Sequence, residues 1–452
     1  MSESASQATT SRQLEAITNA LTSGTFQQAR RLLSALHPAE IGLLLESTPS
    51  PERELIFELV SPDDEGEVLL HVNDEVRAGL INAMDQEQLV AATQNLDMDD
   101  LADIISDLPR AVIGQVLRAM DQQERARLEA VLAYPEDSAG GLMNTDTVTV
   151  RPDVSIDVVL RYLRVRGKLP ELTDALIIVD RYGHYVGMLP IAELFIGDPE
   201  ATVADVMITD AEPIPVATPS QQVAKIFEDR DLISAPVVNE TGVVVGRITI
   251  DDVVDVIREE AEHSLLSMAG LDEEEDMFAP VITSFQRRSV WLGANLLTAF
   301  AASAVVGLYQ PTIEKVVALA VLMPVVASMG GIAGSQTLTL MIRGLALGQL
   351  GRSNTGKLMS KELALGLLNG VAWALVVSVI ALLWFGSASL GLVIAMALIA
   401  NLLVAALSGV LIPLILKRFG VDPALAGHVI LTTVTDVVGF FIFLGLGSVL
   451  LL

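Results

Sequence analysis

The sequence predicts a multidomain fold: an all-α membrane domain of five transmembrane helices, preceded by a cytosolic α-helical solenoid-like domain and a tandem α/β domain. Three observations carry this. Residues 1–280 hold 52 acidic and 19 basic side chains, whereas residues 281–452 hold 4 and 9. The second part contains five apolar stretches long enough to cross about 30 Å of hydrocarbon. Between residues 138 and 257, one pattern of strands and helices occurs twice.

Residues 1–13 (MSESASQATTSRQ) read as a disordered N-terminus without the apolar core of a signal peptide, so the soluble part is expected in the cytosol. No cysteine occurs, which excludes disulfides and thiolate metal sites. Residues 14–136 show helical apolar spacing broken by acidic turns, the pattern of an acidic helical domain. Asp85 and Asp121 are expected to cap helices. Asp121 has Glu124 at capping-box spacing, while Glu87 stands one position short of it after Asp85.

Residues 137–257 divide into copies at about 137–199 and 200–257. Each reads as a short strand, a helix, two strands around a turn (180–187 and 239–246) and a second helix. Order, spacing and turn together resemble a pair of CBS motifs. The resemblance implies a regulatory module for adenine nucleotides or ions, which brings in ATP as a candidate ligand. Residues 251–282 then connect to the membrane. Val253, Val254, Ile257, Leu265, Leu266 and Met268 leave a carboxylate face of Asp251, Asp252, Asp255, Glu259, Glu260 and Glu262, so a connecting helix is predicted. The run from Asp272 to Asp276 reads as a solvated acidic linker.

The membrane domain, residues 283–452, has expected helices at about 290–308, 316–342, 363–385, 390–416 and 424–451. Arg287, Arg288, Arg343, Arg352, Lys357, Lys361, Lys417 and Arg418 all flank one side of these spans. The positive-inside rule places that side in the cytoplasm and the C-terminus on the periplasmic side of a bacterial inner membrane. Asp436 is the sole carboxylate of the last span, with no lysine or arginine there to neutralise it. A carboxylate at bilayer depth costs about 2.5–3.5 kcal/mol on insertion scales, so it is expected to face a polar cavity, an ion path or a partner helix. Thr432 and Thr435 flank it at helical spacing. Gly331 and Gly334 supply either close helix packing or an open wall, and Ser335, Gln336, Asn295, Ser328, Asn369, Asn401 and Thr433 are further polar residues of the spans. His428 reads as a satisfied mouth residue.

The order of these parts, with PVVASMGGIAGSQTLTLMIRGLALG (residues 324–348) and VDPALAGHVILTTVTDVVGFFIFLGLG (residues 421–447), resembles the MgtE family of magnesium transporters over nearly the whole chain. The resemblance implies that Asp436 binds hydrated Mg²⁺ in a pore at a dimer axis, lined mainly by the second and fifth spans. It further implies that the connecting helix plugs the pore, and that Mg²⁺ held by the acidic domains closes it. The family's Asn-Thr-Gly-Asn-Gln stretch is here Ile332, Ala333, Gly334, Ser335 and Gln336. Its Ser-Asn-Pro-like stretch is Ala426, Gly427 and His428.

Residue chemistry points the same way. Mg²⁺ takes oxygen ligands and gives up water reluctantly, whereas zinc and copper prefer sulfur and imidazole. Moving a gate from 1:99 to 99:1 takes about 5.5 kcal/mol of differential binding, or roughly four weak sites that each prefer one state tenfold. Candidate sensor ligands are Asp97, Asp99, Asp100 and Asp103 in the helical domain, Asp229, Asp231, Asp251, Asp252 and Asp255 in the second repeat, and Glu259 and Glu260 on the connector. A homodimer in a lipid bilayer is expected, with Mg²⁺ both transported and regulatory, and no nucleic acid partner. No GxxxxGK[ST] stretch occurs, so uptake is expected to be driven by the membrane potential; no second carboxylate, His pair or Ser/Lys dyad is read at the depth of Asp436, so the chain is not expected to be an enzyme. The alternatives are an importer of Co²⁺, Ni²⁺ or Mn²⁺, and a membrane-anchored CBS sensor without transport.

Overall fold

The computed structural model describes every residue except 1–15, 18, 22, 94, 95, 97, 106, 121, 272–275 and 352, and leaves out the side chains of 98, 99, 110, 111, 119, 123 and 124. The chain divides into two compact units, one of residues 1–262 with 274–280, the other of residues 263–273 with 281–452.

The first unit begins with short helices: α1 (Phe26–Leu33), α2 (Pro38–Glu46), α3 (Ser50–Phe57), α4 (Glu65–Leu70), α5 (Asp74–Ala83), α6 (Gln86–Thr93), α7 (Met98–Ile105), α8 (Arg110–Ala119) and α9 (Gln122–Val131). None is long enough to be stable alone, so each depends on its neighbours for burial. Ile41, Leu44, Leu45, Val68, Leu69, Val76, Leu80 and Ile104 are among the residues that fill their common core. Turn chemistry separates them. His37 Nδ1 accepts from Ala39 N at 3.3 Å while Glu40 accepts from His37 N at 2.9 Å, and Pro38 occupies the first helical turn. At α6 the reciprocal partner of Asp85 is Gln88. Asp85 Oδ1 accepts from Gln88 N at 2.9 Å and Gln88 Oε1 accepts from Asp85 N at 3.0 Å. The box that Glu87 leaves one residue short is therefore complete with an amide in place of a carboxylate. The cap expected at Asp121 lies outside the described residues.

The two repeats fold alike. In the first, β1 (Thr149–Val150) pairs parallel with β2 (Ala175–Val179), which pairs antiparallel with β3 (Tyr185–Pro190); in the second, β4 (Ile214–Pro215), β5 (Ser234–Val238) and β6 (Val244–Thr249) do the same. α10 (Ile156–Arg166) and α13 (Ser220–Arg230) cross between the parallel strands, and α11 (Ile191–Ile196) and α14 (Ile250–Met268) follow the hairpins, with α12 (Val203–Val206) between the copies. The hairpin turns are equivalent in detail. Asp180 Oδ1 accepts from the amides of Tyr182 and His184 at 2.8 and 2.9 Å, and Asn239 Oδ1 accepts from those of Thr241 and Val243 at 3.0 Å each. Gly183 (φ +86°) and Gly242 (φ +80°) supply the left-handed residue that each turn requires.

The linker is not uniformly solvated. Asp276 is buried and accepts both guanidinium nitrogens of Arg53, while Glu75 accepts its backbone N–H at 3.0 Å. Residues 272–275 lie outside the described residues.

Among the described residues, the second unit contains five helices long and apolar enough to cross a membrane: α15 (Val281–Leu308), α17 (Ala318–Ala346), α18 (Thr355–Phe385), α19 (Ala388–Arg418) and α20 (Pro423–Leu450). The short α16 (Gln310–Lys315) joins the first two. α19 packs against α17, α18 and α20 and is the most buried of the five; α15 is the least. Small residues permit this closeness. Gly366 and Gly370 of α18 lie against Leu402, Ala406 and Ile399 of α19, and Gly409 of α19 lies against Thr337 of α17.

Candidate functional site

α20 starts at a firm cap. Asp422 Oδ1 accepts from Ala424 N at 2.9 Å, Pro423 follows, and the other Asp422 oxygen lies 3.2 Å from His263 Nε2. From there the helix carries two stripes. Ala424, Gly427, Leu431, Thr435 and Gly439 are buried, while His428, Thr432 and Asp436, each four residues after the last, line a cavity of about 980 Å³. Four-residue spacing keeps side chains on one face of a helix.

The opposing wall is α17. Ala327, Ser328, Gly331, Ile332, Ser335, Gln336, Thr339 and Leu340 face the cavity, and Val326, Gly330, Gly334, Thr337, Leu338 and Met341 are buried. All the lining side chains come from these two helices. Ser335 Oγ and His428 Nδ1 meet across the gap at 3.3 Å.

Two buried polar contacts fix α17 from behind. Asn401, fully buried on α19, donates from Nδ2 to the carbonyl of Val326 at 2.9 Å. It is wedged so closely that a Cβ on Gly330 would stand 2.3 Å from Nδ2, and one on Gly439 of α20 2.8 Å from it. One side chain thus sets the separation of both cavity walls. Lower on α17, Thr337 Oγ1 donates to Glu362 Oε2 of α18 at 3.0 Å; Glu362 is buried, and among the described residues its Oε1 has no hydrogen-bond partner, with Lys361 Nζ 3.9 Å away.

Asp436 is half-buried, and among the described residues no basic side chain or hydrogen-bond donor reaches its carboxylate. The threonine protons around it go elsewhere. Thr432 Oγ1 donates to His428 O at 2.9 Å, Thr433 Oγ1 to Val429 O at 2.7 Å, and Thr435 Oγ1 to Thr432 O at 3.1 Å. The cavity therefore offers one carboxylate, hydroxyl and amide oxygens, and an imidazole.

Of the residues singled out in the sequence, Asp436, Thr432, Gly331, Ser335 and Gln336 come together on this cavity. Thr435 and Gly334 do not. Thr435 is fully buried, and Gly334 packs against Leu431, whose Cδ1 stands 2.9 Å from where its Cβ would be. Ser328, Thr339 and His428 join the wall; i, i+4 spacing from Ile332, Ser335 and Thr432 is the signal that marks them.

The candidate sensor carboxylates are dispersed. Asp97 and the side chain of Asp99 lie outside the described residues. Asp100 and Asp103 sit on α7, Asp103 exposed; Asp229 is exposed in the last turn of α13, and Asp231 caps that helix in the left-handed conformation (φ +51°). Asp251 and Asp252 accept from Thr249 Oγ1 at the start of α14, Asp255 pairs with Arg258 at 3.3 Å, and Glu260 accepts from Gln221 at 2.5 Å. Glu259 is exposed on the same helix. Among the described residues, no three histidine or acidic side chains converge on a point where a metal could sit.

Comparison with known proteins gives three family matches. Residues 323–446 match MgtE, described as a divalent cation transporter; residues 36–137 match the MgtE intracellular N domain; residues 139–196 and 203–259 each match a CBS domain. The magnesium transporter MgtE of Thermus thermophilus is 30% identical over 437 residues, which cover 96% of this chain and 97% of that one. The magnesium transporter MgtE of Bacillus subtilis is 26% identical over 428 residues, 95% of each chain. A solved structure of the cytosolic domain of the Mg²⁺ channel MgtE in complex with ATP is 30% identical and covers 54% of this chain and 99% of that one, with a TM-score of 0.49.

Proposed function

The chain belongs to the MgtE family of magnesium transporters, and from that premise we propose that Mg²⁺ crosses the membrane through the cavity between α17 and α20, held on its way by Asp436. The protein is a membrane transporter of Mg²⁺ and not an enzyme. One observation carries the assignment of the path: the single carboxylate of α20 opens into a cavity where, among the described residues, no protein cation neutralises it. A hydrated Mg²⁺ suits that arrangement, because the ion keeps most of its waters and needs only one or two carboxylates. Thr432, Ser335, Gln336 and the bare backbone at Gly331 are among the other groups of the wall. The membrane potential contributes about 4.6 kcal/mol for a divalent ion at 100 mV.

The cavity has two helical walls, so a second copy of the chain completes the enclosure and the working unit is a homodimer. The basic loops lie in the cytosol with the acidic unit, and the C-terminus in the periplasm. Cytosolic Mg²⁺ closes the path by binding the acidic unit and the start of α14. The surplus of 52 acidic over 19 basic residues before residue 281 supports this, since self-repulsion opposes compaction until cations screen it. The candidate ligands are Asp97, Asp99, Asp100, Asp103, Asp229, Asp231, Asp251, Asp252, Asp255, Glu259 and Glu260, and the dispersion of those that lie among the described residues favours sites shared between domains or subunits. The CBS pair is the place for ATP.

The test is Mg²⁺ influx into proteoliposomes loaded with a Mg²⁺-sensitive dye, with Mg²⁺ low on the side of the acidic unit. Influx is expected in the wild type and not in Asp436→Ala at matched incorporation. Equal influx in the two would remove Asp436 from the path.

A further inference from the structure

We propose that His428 forms a second, nitrogen-bearing metal station in the ion path, which holds borderline divalent metals such as Ni²⁺ and so slows their passage relative to Mg²⁺. The inference rests on the path proposed above. His428 shares the cavity face of α20 with Thr432 and Asp436 and is exposed there. Eight residues of helix separate it from Asp436, about 12 Å along the axis, so one ion cannot touch both and the imidazole is a separate stop.

The contact with Ser335 gives the ring its role. With the proton on Nδ1, His428 donates to Ser335 Oγ across 3.3 Å, and the Nε2 lone pair is left for a ligand. Ligating histidines characteristically donate their other ring N–H to an oxygen in this way, which fixes the ring and raises its basicity. The remaining coordination positions are filled by water.

Ligand chemistry decides which ions are held. Mg²⁺ is a hard cation that gains little from imidazole, whereas Ni²⁺, Co²⁺ and Zn²⁺ bind it well. Conduction requires each station to release its ion, so a ligand that grips one class of metal retards that class. His428 is the sixth residue of α20, near the end assigned to the cytosol, so Ni²⁺ reaches it from the cytosolic side.

Two measurements test this on the full-length protein. In proteoliposomes, Ni²⁺ is titrated on the acidic side, and Mg²⁺ influx is scaled to each variant's uninhibited rate. The half-blocking Ni²⁺ concentration is expected to rise about tenfold or more in His428→Asn, and to rise less in Ser335→Ala, which frees the ring but keeps Nε2. Block by Ca²⁺, an oxygen-seeking ion, is expected to stay within about twofold of the wild type in both variants. Second, equilibrium dialysis of purified protein against Ni²⁺ in excess Mg²⁺ is expected to show one bound Ni²⁺ fewer per chain in His428→Asn. An unchanged half-blocking concentration together with unchanged Ni²⁺ stoichiometry overturns the proposal. Should Asp436→Ala keep full influx, the path itself is wrong, and the dialysis alone decides whether His428 binds metal.

Discussion

Arg53 grips both carboxylate oxygens of Asp276, at 2.9 and 3.1 Å, across 223 residues of sequence and with both side chains buried. Leu45 O takes the remaining guanidinium edge at 2.9 Å, and the Phe278 amide donates back to Asp276 at 2.9 Å. The segment that leads into α15 is thereby fastened to the helical domain. Removing one partner of a buried pair leaves an uncompensated charge and costs about 3–5 kcal/mol, whereas replacing both with apolar residues is far milder. Arg53→Ala is expected to release the segment, seen as loss of hydrogen-exchange protection at residues 276–280 and in α3. Arg53→Met with Asp276→Leu is expected to retain most of it.

Adjacent glycines of α17 should behave differently. A Cβ at Gly330 would lie 2.3 Å from Asn401 Nδ2, whereas one at Gly331 meets nothing within 4 Å. Gly330→Ala is expected to cost about 1–3 kcal/mol through overpacking, read as a lower midpoint in thermal unfolding of the detergent-solubilised protein. Gly331→Ala is expected to leave that midpoint in place and act on Mg²⁺ influx instead, because the new methyl enters the cavity.

Glu362 depends on Thr337. Thr337→Val removes a hydrogen bond to a buried carboxylate oxygen, at a cost of about 1–3 kcal/mol. Reduced thermal stability is expected, and Glu362→Gln in the same background should recover part of it by removing the charge.

The helical domain should weaken in mild acid. Burial pushes the His71 imidazole below its ordinary value, against the pull of the Asp255 and Glu67 carboxylates and with a smaller push from His37 and Arg258. The folded state thus binds a proton less readily than the unfolded chain. Its contribution is present above the unfolded pKa, about 6.5, and is lost as pH falls through the lower folded value. Thermal unfolding of the full chain at pH 7.5 and 5.5 checks this, and His71→Asn should flatten the dependence.

Much of the architecture is legible because it is written in composition and repetition. Five long apolar runs, two copies of one hairpin with Asp180 and Asn239 at the same place in the turn, and one carboxylate in the last run need no tertiary knowledge. Rotation about a membrane helix is different. When both faces are apolar, periodicity does not say which side is inward, so the sequence cannot tell that Thr432 faces the cavity while Thr435, three residues on, is buried. Asn401 is legible as one of several polar residues expected to bind a neighbouring helix, and it does so, but that it spaces two helices at once is visible only in the fold. Asp276 misleads for another reason: in a run of acids, solvation is the sound expectation, and only the fold brings Arg53 within reach of it. Glu362 escapes notice because it stands one residue before the apolar run expected at 363–385, yet α18 begins earlier, at Thr355, and carries it into the packed interior.

The threonines around Asp436 have a consequence for what the wall recognises. Each hydroxyl hydrogen of Thr432, Thr433 and Thr435 is committed to a carbonyl of its own helix. What Thr432 turns toward the cavity is therefore a pair of lone pairs. A cation wrapped in water shows hydrogens on its outside, and an anion wrapped in water shows oxygens. A surface of acceptors fits the first and repels the second, so the helix reads the polarity of an ion's coat before any ion meets the carboxylate.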